Sequence, residues 1–405
     1  MITEIFRQRD VRFFLLLLII IIEIFFIFSQ GPTFLPLKEG IFIEEEFLPA
    51  IITQIPATTT VDIKAQEVTS QPPKMVKAVY LTSWSASAPG MVDYVIEIAN
   101  NTEINAIVVD IKDWSGYIAY DTQIPEAEKF NAERILISDI EAFLERFHQE
   151  GIYMIARIAV FQDPVLARAR PNLAIHQKSN ESLLWLDKSG LAWIDPLAQE
   201  AWDYNIALAQ DALNRGFDEL NFDYARFPSD GDLQDMSFPL WDETTPRNLI
   251  IKEFYKRLRE EIPQATLSID LFGLSTVSSN FGVGQNIEDA YPYFDFVCPM
   301  VYPSHYVEGF LGYQNPAEYP YEIVKYSMEN ALERLNLLNL LHPTKAKLRP
   351  WLQDFDLGAT YDEKQIRLQI DAVSEALGEN FSGFMLWNSK NFYTKEALQP
   401  ATLGN

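Results

Sequence analysis

From residue 76 onward the chain is a succession of short apolar runs separated by amphipathic stretches, and this alternation leaves few folds open. Eight runs of strand length cover 77–82, 105–112, 152–159, 219–223, 266–271, 294–302, 347–353 and 383–387. Stretches with a helical period lie between most of them, at 138–150, 199–215, 247–261, 321–336 and 362–377. Eight strand–helix units in about 325 residues predict an α/β chain folded as a (β/α)8 TIM barrel with inserted loops. The competing architecture, an open doubly wound sheet, calls for a Gly-rich phosphate turn after an early strand. Neither GxGxxG nor GxxxxGK[ST] occurs.

Alternation within each strand then sorts side chains between the barrel axis and the outer helices. Leu220 and Phe222 are expected outside, with Asn221 and Asp223 facing the axis. Ile269 faces out and Asp270 in, while Asp110 and Lys112 share the inward face of their strand. Arg157 takes a similar place; Arg349, Trp351 and Gln353 share one face, as do Met385 and Trp387. Polar groups therefore gather at the C-terminal ends of the strands, where barrel enzymes build their sites.

Composition narrows the chemistry. The 405 residues carry 57 acidic and 32 basic side chains, a net charge of -25 that opposes nucleic acid and a polybasic membrane patch. One cysteine, Cys298, forbids an internal disulfide and a Cys-cluster zinc site. The four histidines have no HxxH or HExxH spacing, which disfavours a metal hydrolase or a metal-dependent polysaccharide deacetylase; no cofactor is expected. Ser83, Ser85 and Ser87 lack a GxSxG setting, and Cys298 sits inside an apolar strand.

Paired carboxylates remain, and they cleave glycosidic bonds without metal or cofactor: one stays protonated to donate, the other ionised to attack or to activate water. Asp223 and Asp270, on the fourth and fifth strands, are the candidate pair, at a spacing that suits a retaining mechanism. An inverting pair with a wider gap stays open. Trp84, Trp114, Trp351 and Trp387 offer flat faces to sugar rings, and Trp185 and Trp193 extend the same cleft. Arg226 serves as a substrate clamp or as a partner holding Asp223 ionised, and His305 as a substrate contact or a loop histidine. Asp110, Lys112 and Asp113 read as an ion-pair network before a catalytic pair, and Asp354 and Asp356 as solvated loop acids.

The stretch from Phe217 to Pro228, FDELNFDYARFP, resembles the FDYVRFP signature of a family of glycoside-hydrolase-like TIM-barrel domains, formerly of unknown function and distantly related to α-amylase-like barrels. Val108 to Asp113 with Gly116, Ile269 to Gly273, and Cys298 to Tyr306 resemble the same family's second-, fifth- and sixth-strand motifs. Ala225 stands where Val is usual and Cys298 where Ser is usual. The resemblance spans roughly 76 to 392 and implies a barrel hydrolase with Asp223 as nucleophile and Asp270 as general acid/base. Amylase-like barrels commonly carry Glu at the latter place. Residues expected to touch a polysaccharide or oligosaccharide substrate are Asp110, Lys112, Trp114, Arg157, Tyr224, Arg226, Tyr302, His305, Trp351, Gln353 and Trp387. A non-catalytic barrel that binds envelope polysaccharide is the alternative.

Residues 1–29 are expected to form a cytoplasmic stub and a single-pass signal anchor. The run 13–28 is apolar except for Glu23, follows Arg7, Arg9 and Arg12, and lacks a clear cleavage site. Its about 16 to 18 residues are the short end of what spans a bilayer. Residues 30–75, with six prolines and the run Thr58-Thr59-Thr60, read as an extracytoplasmic low-complexity linker. The barrel then covers 76–400 and is held outside the membrane, or secreted if the N-terminal segment is removed.

Overall fold

The computed structural model describes residues 72–279 and 282–401. The expected membrane anchor and nearly all of the expected linker lie outside the described residues. Within them, no helix is long and apolar enough to cross a membrane.

Eight parallel strands close on themselves. They are β1 Val76–Leu81, β2 Ala106–Lys112, β3 Tyr153–Ala159, β4 Glu219–Asp223, β5 Thr266–Phe272, β6 Phe296–Met300, β7 in two pieces (Lys347–Leu348 and Trp351–Gln353), and β8 Gly383–Trp387. Each pairs with its sequence neighbours, and β8 pairs with β1 through Val76 opposite Gly383. Outside the ring lie α1 Pro89–Asn101, α2 Ile140–His148, α3 Gln199–Arg215, α4 Arg247–Glu261, a single turn α5 Ile287–Ala290, α6 Pro320–Leu341 and α7 Glu363–Leu377. All eight strands and five of these helices stand where periodicity placed them. Helix α1 was not expected: it opens on Pro89-Gly90, which reads as a turn, and its N-cap residue Ala88 supplies no capping bond.

The barrel has two apolar layers, divided as a period of two requires. Val79, Ile107, Val109, Leu220, Phe222, Leu267, Ile269, Val297, Leu352 and Leu386 pack outward under the helices. Ala78, Tyr80, Val108, Ile155, Phe296, Cys298, Trp351 and Met385 fill the interior. Low in that interior, Arg349 and Glu219 form a fully buried ion pair, with Arg349 Nη1 donating to Glu219 Oε2 at 3.1 Å. Above it Ser268 Oγ donates to Glu219 Oε1 (2.6 Å), and Asn221 Nδ2 donates to Ser268 Oγ (3.0 Å). These polar residues bond to one another, leaving only Arg349 Nε and Asn221 Oδ1 of the four side chains without a partner, and floor the mouth rather than leaving a pore.

One strand breaks the alternation. A β-bulge between Asp110 and Lys112 pairs Lys112, not Ile111, with the outward-facing Ile158 of β3. Lys112 therefore leaves the barrel axis. Its Nζ lies 2.7 Å from Asp163 Oδ2 and donates to Ala159 O (2.8 Å) and to Asn205 Oδ1 (3.0 Å) on α3. The expectation that Lys112 lines the mouth is corrected: it ties the loop after β3 to the wall.

Closure of the ring depends on Gly383. Its φ is +113°, and a Cβ there would run into the Val76 carbonyl. Gly383→Ala is expected to lower unfolding free energy by at least about 2–3 kcal/mol, measured by urea denaturation. An unchanged midpoint and slope would contradict this account of the β8–β1 seam.

Candidate active site

At the C-terminal mouth one side chain organises the polar residues. Arg157, near the end of β3, points inward and is almost wholly buried. Its Nη1 donates to Asp110 Oδ1 at 2.6 Å, its Nη2 to Asp223 Oδ2, and its Nε approaches Asp270 Oδ2 at 3.3 Å. Nε and Nη2 form one edge of the planar guanidinium, an edge that ordinarily grips a single carboxylate with two oxygens. Here two carboxylates from neighbouring strands share it. Register accounts for this: Phe222 pairs with Ile269, so the next residues, Asp223 and Asp270, lie side by side on the inner face. Neighbouring strands run about 4.8 Å apart, which sets the scale of their separation.

The remaining bonds differ between the two acids. Asp223 Oδ1 accepts the backbone N–H of Tyr224 at 2.5 Å. Tyr224 has φ +53°, so the chain turns sharply past Asp223 and aims that N–H back at its carboxylate. Asp270 Oδ1 accepts Trp351 Nε1 (2.7 Å) and Asn221 Nδ2 (2.9 Å), which fixes the carboxyl in place. Asp110 is held by Arg157 and by the hydroxyl of Tyr80. Tyr80 stacks on Trp387 with ring centroids 4.0 Å apart, and the Arg157 guanidinium carbon lies 5.0 Å from the Trp387 ring centroid.

One guanidinium cannot neutralise three buried carboxylates. Two ionised groups ~4 Å apart repel by about 4 kcal/mol at an effective dielectric of about 20. Keeping an aspartic acid protonated near pH 7 costs a similar amount, about three pKa units at 1.36 kcal/mol each. Protonation therefore competes, and Asp270 takes the proton: burial first, and the charge of Asp223 second, push its carboxyl up to about 7, against the opposing pull of Arg157. Burial also pushes Asp110 up to about 6, opposed by Arg157 and the Tyr80 hydroxyl.

Asp223 and Asp270 open on one cavity of about 420 Å³, whose wall includes Arg157, Tyr224, Arg226, Tyr302, His305, Trp351 and Trp387. The bonding around His305 fixes its tautomer. Gln353 Nε2 donates to Phe355 O, so Gln353 Oε1 is the acceptor for Ser304 Oγ (2.8 Å). That hydroxyl then accepts from His305 Nδ1 (3.0 Å), which leaves Nε2 as an acceptor. Burial lowers the pKa of His305, keeping the ring neutral.

Nine of the thirteen residues expected at the site line this cavity: Asp223, Asp270, Arg157, Tyr224, Arg226, Tyr302, His305, Trp351 and Trp387. Asp110 lies behind Arg157, and Gln353 lies behind Ser304 and His305. Trp114 is half exposed outside the cavity, as is Trp84, and Lys112 has turned away. Trp185 and Trp193 do not extend a cleft; both are buried in the long loop between β3 and β4, where Trp193 Nε1 donates to Asp187. Asp354 is no solvated loop acid. It is buried, accepts Thr394 N (3.0 Å) and Thr394 Oγ1 (2.9 Å), and burial pushes its carboxyl up to about 6. Sequence reasoning passed over Tyr80, Phe272, Gly273 and Met300. Tyr80 was recoverable, because it shares the inward parity of Ala78 and lies, like the acids, near the C-terminal end of its strand.

Residues 78–393 match the family described as "Putative glycosyl hydrolase domain". The chain belongs to this family of glycosyl hydrolase domains. No curated protein matches the chain. A hypothetical protein from Ruminiclostridium thermocellum is 38% identical over 47% of this chain and 96% of its own, with a TM-score of 0.44. The PgaB (BpsB) glycoside hydrolase domain from Bordetella bronchiseptica shares the barrel: TM-score 0.53, 13% identity, 79% of this chain and 95% of that one. A maltogenic α-amylase, AmyB from Thermotoga neapolitana, superposes at a TM-score of 0.44 with 12% identity, covering 78% and 67%.

The central role of Arg157 in this glycosyl hydrolase domain is open to a stability test. Arg157→Met leaves three buried acids without their cation and is expected to cost about 3–5 kcal/mol at pH 8. The sign of the pH dependence follows from Asp110 and Asp270, which burial already raises: without the cation both rise further, so the loss shrinks as pH falls towards 5 and they take up protons. Denaturation curves at both pH values measure it; an equal loss at both would contradict the cluster.

Proposed function

We propose that this chain is a retaining glycoside hydrolase acting on a polysaccharide, with Asp223 as nucleophile and Asp270 as general acid/base. The observation carrying this reading is the shared edge of Arg157 at the floor of the cavity, where two carboxyls from adjacent strands sit in unlike surroundings. Retaining enzymes place the two groups about 5–5.5 Å apart, and inverting ones about 6.5–9.5 Å. Adjacent strands with same-facing side chains suit the shorter gap, and no room for a water between the acids is needed.

In the first step Asp270, protonated, delivers its proton to the leaving glycosidic oxygen while Asp223 attacks the anomeric carbon. Asp223 accepts two donors, Arg157 and the Tyr224 N–H, and has none of its own to give. In the second step Asp270, now ionised, takes a proton from water, and the attack of that water releases Asp223. Trp387 and Tyr302 offer ring faces to the sugar, and His305 Nε2 accepts a sugar hydroxyl. The membrane segment expected at 13–28 would tether this activity on the outer side of a membrane, with Arg7, Arg9 and Arg12 inside.

Asp223→Asn is expected to lower turnover of a glycan substrate by roughly 10³-fold or more. The wild-type product, followed by proton NMR as it forms, should keep the anomeric configuration of the substrate; inversion would overturn the retaining assignment. Turnover unaffected by Asp223→Asn would overturn the catalytic one and leave a glycan-binding barrel.

The acid role of Asp270 in the first step is tested by pH. Below about 7 Asp270 holds its proton, and above it the acid is lost, so kcat/KM should fall as pH rises through that range. Asp270→Asn should slow substrates with poor leaving groups by about 10²- to 10⁴-fold, slow activated aryl glycosides less, and remove that alkaline limb for the latter. Equal slowing of both substrate classes would count against the acid role.

A further inference from the structure

The cavity wall contains a second guanidinium, and among the described residues it has no counter-ion. Arg226 lies three residues past Asp223 and is only 7% exposed. Its guanidinium carbon sits 4.4 Å from the ring centroid of Phe272, 5.0 Å from that of Trp193 and 5.2 Å from that of Tyr224. Both of its hydrogen bonds leave from Nη1, to Phe227 O and Ser229 Oγ, each at 3.2 Å. Nε is buried without a partner, Nη2 donates to nothing among the described residues, and no carboxylate there comes within ion-pair distance. The Nε–Nη2 edge, which Arg157 fills with two acids, is empty on Arg226.

A buried charge without a partner is expensive, and an arginine keeps its charge. Burial accordingly lowers the pKa of Arg226, with the distant Asp223, Asp230 and Asp187 offsetting only part of the cost. The group that fits the vacant edge is planar and anionic, with two oxygens at fork spacing. The net charge of -25 repels a densely charged polyanion at long range, which favours a glycan carrying isolated acidic groups.

We infer that Arg226 is an anion subsite of the substrate cavity and that the sugar bound beside Asp223 and Asp270 carries a carboxylate, as a uronic acid or a lactyl-ether amino sugar does. This rests on the proposed glycan-binding role of the cavity. Arg226 is a specificity residue and takes no part in bond breaking.

The test is binding to the full-length Asp223→Asn chain, read by titration calorimetry. The probes are matched pairs: glucuronate against glucose, galacturonate against galactose, mannuronate against mannose, and N-acetylmuramate against N-acetylglucosamine. At least one carboxylated member should bind about 10- to 100-fold tighter than its neutral partner, and Arg226→Gln in the same background should erase the difference. Arg226→Lys, which keeps the charge but not the fork, should retain only part of it. The ratio within a pair does not change if a fraction of the variant misfolds. No preference for any acid, a preference that survives Arg226→Gln, or no binding by any probe would each overturn the inference. Turnover is not read here, so an inactive wild-type enzyme would defeat the hydrolase reading and leave this one standing.

Discussion

A single guanidinium surrounded by three buried carboxylates is the interaction on which the site depends. Arg157 holds Asp110, Asp223 and Asp270 in one cluster and compensates for only part of their charge. If the cation matched the acids, the cluster would be structural and chemically quiet. The excess acid forces a shared proton into the mouth, and surroundings decide where it rests. Asp270, the more enclosed of the pair, carries it.

The barrel supplies the geometry this chemistry needs. Strand order brings β3, β4 and β5 together: Asp223 and Asp270 stand side by side, and Arg157, which pairs with Asn221 two residues earlier on β4, reaches both with its guanidinium. The layer below, Glu219 with Arg349 and then Ser268 with Asn221, connects to Asp270 through the Asn221 amide. The acid is thus positioned from beneath by strands β4 and β5 and from the side by Trp351 of β7. Rigid strands, rather than loops, hold Arg157, Asp223 and Asp270, while loops bring His305 and Arg226 to the cavity wall.

Much of this was legible because a period of two is a strong signal in a strand buried on both sides. It located the eight strands and put Asp110, Arg157, Asn221, Asp223 and Asp270 on the axis. It failed at Lys112, where a bulge shifts the parity by one residue and leaves no trace in composition. The tryptophans were misjudged for a different reason. Trp185 and Trp193 lie in a loop whose apolar side chains join the main core around the barrel, and an aromatic residue carries no mark of whether it faces sugar or neighbouring side chains. Asp354 was misread because its partner, Thr394, is 40 residues away in sequence. Burial and long-range hydrogen bonds, which set pKa values, are properties of the fold that no local window contains.

The central claim, that the cluster carries a proton on Asp270 at neutral pH, is most directly tested by infrared difference spectroscopy of wild type against Asp270→Asn. A protonated buried carboxyl should give a carbonyl band at pH 6 that titrates away with an apparent pKa near 7 and is missing from the variant. If wild type shows only carboxylate bands at pH 6, or if the protonated band persists unchanged in the variant, the acid/base assignment is wrong.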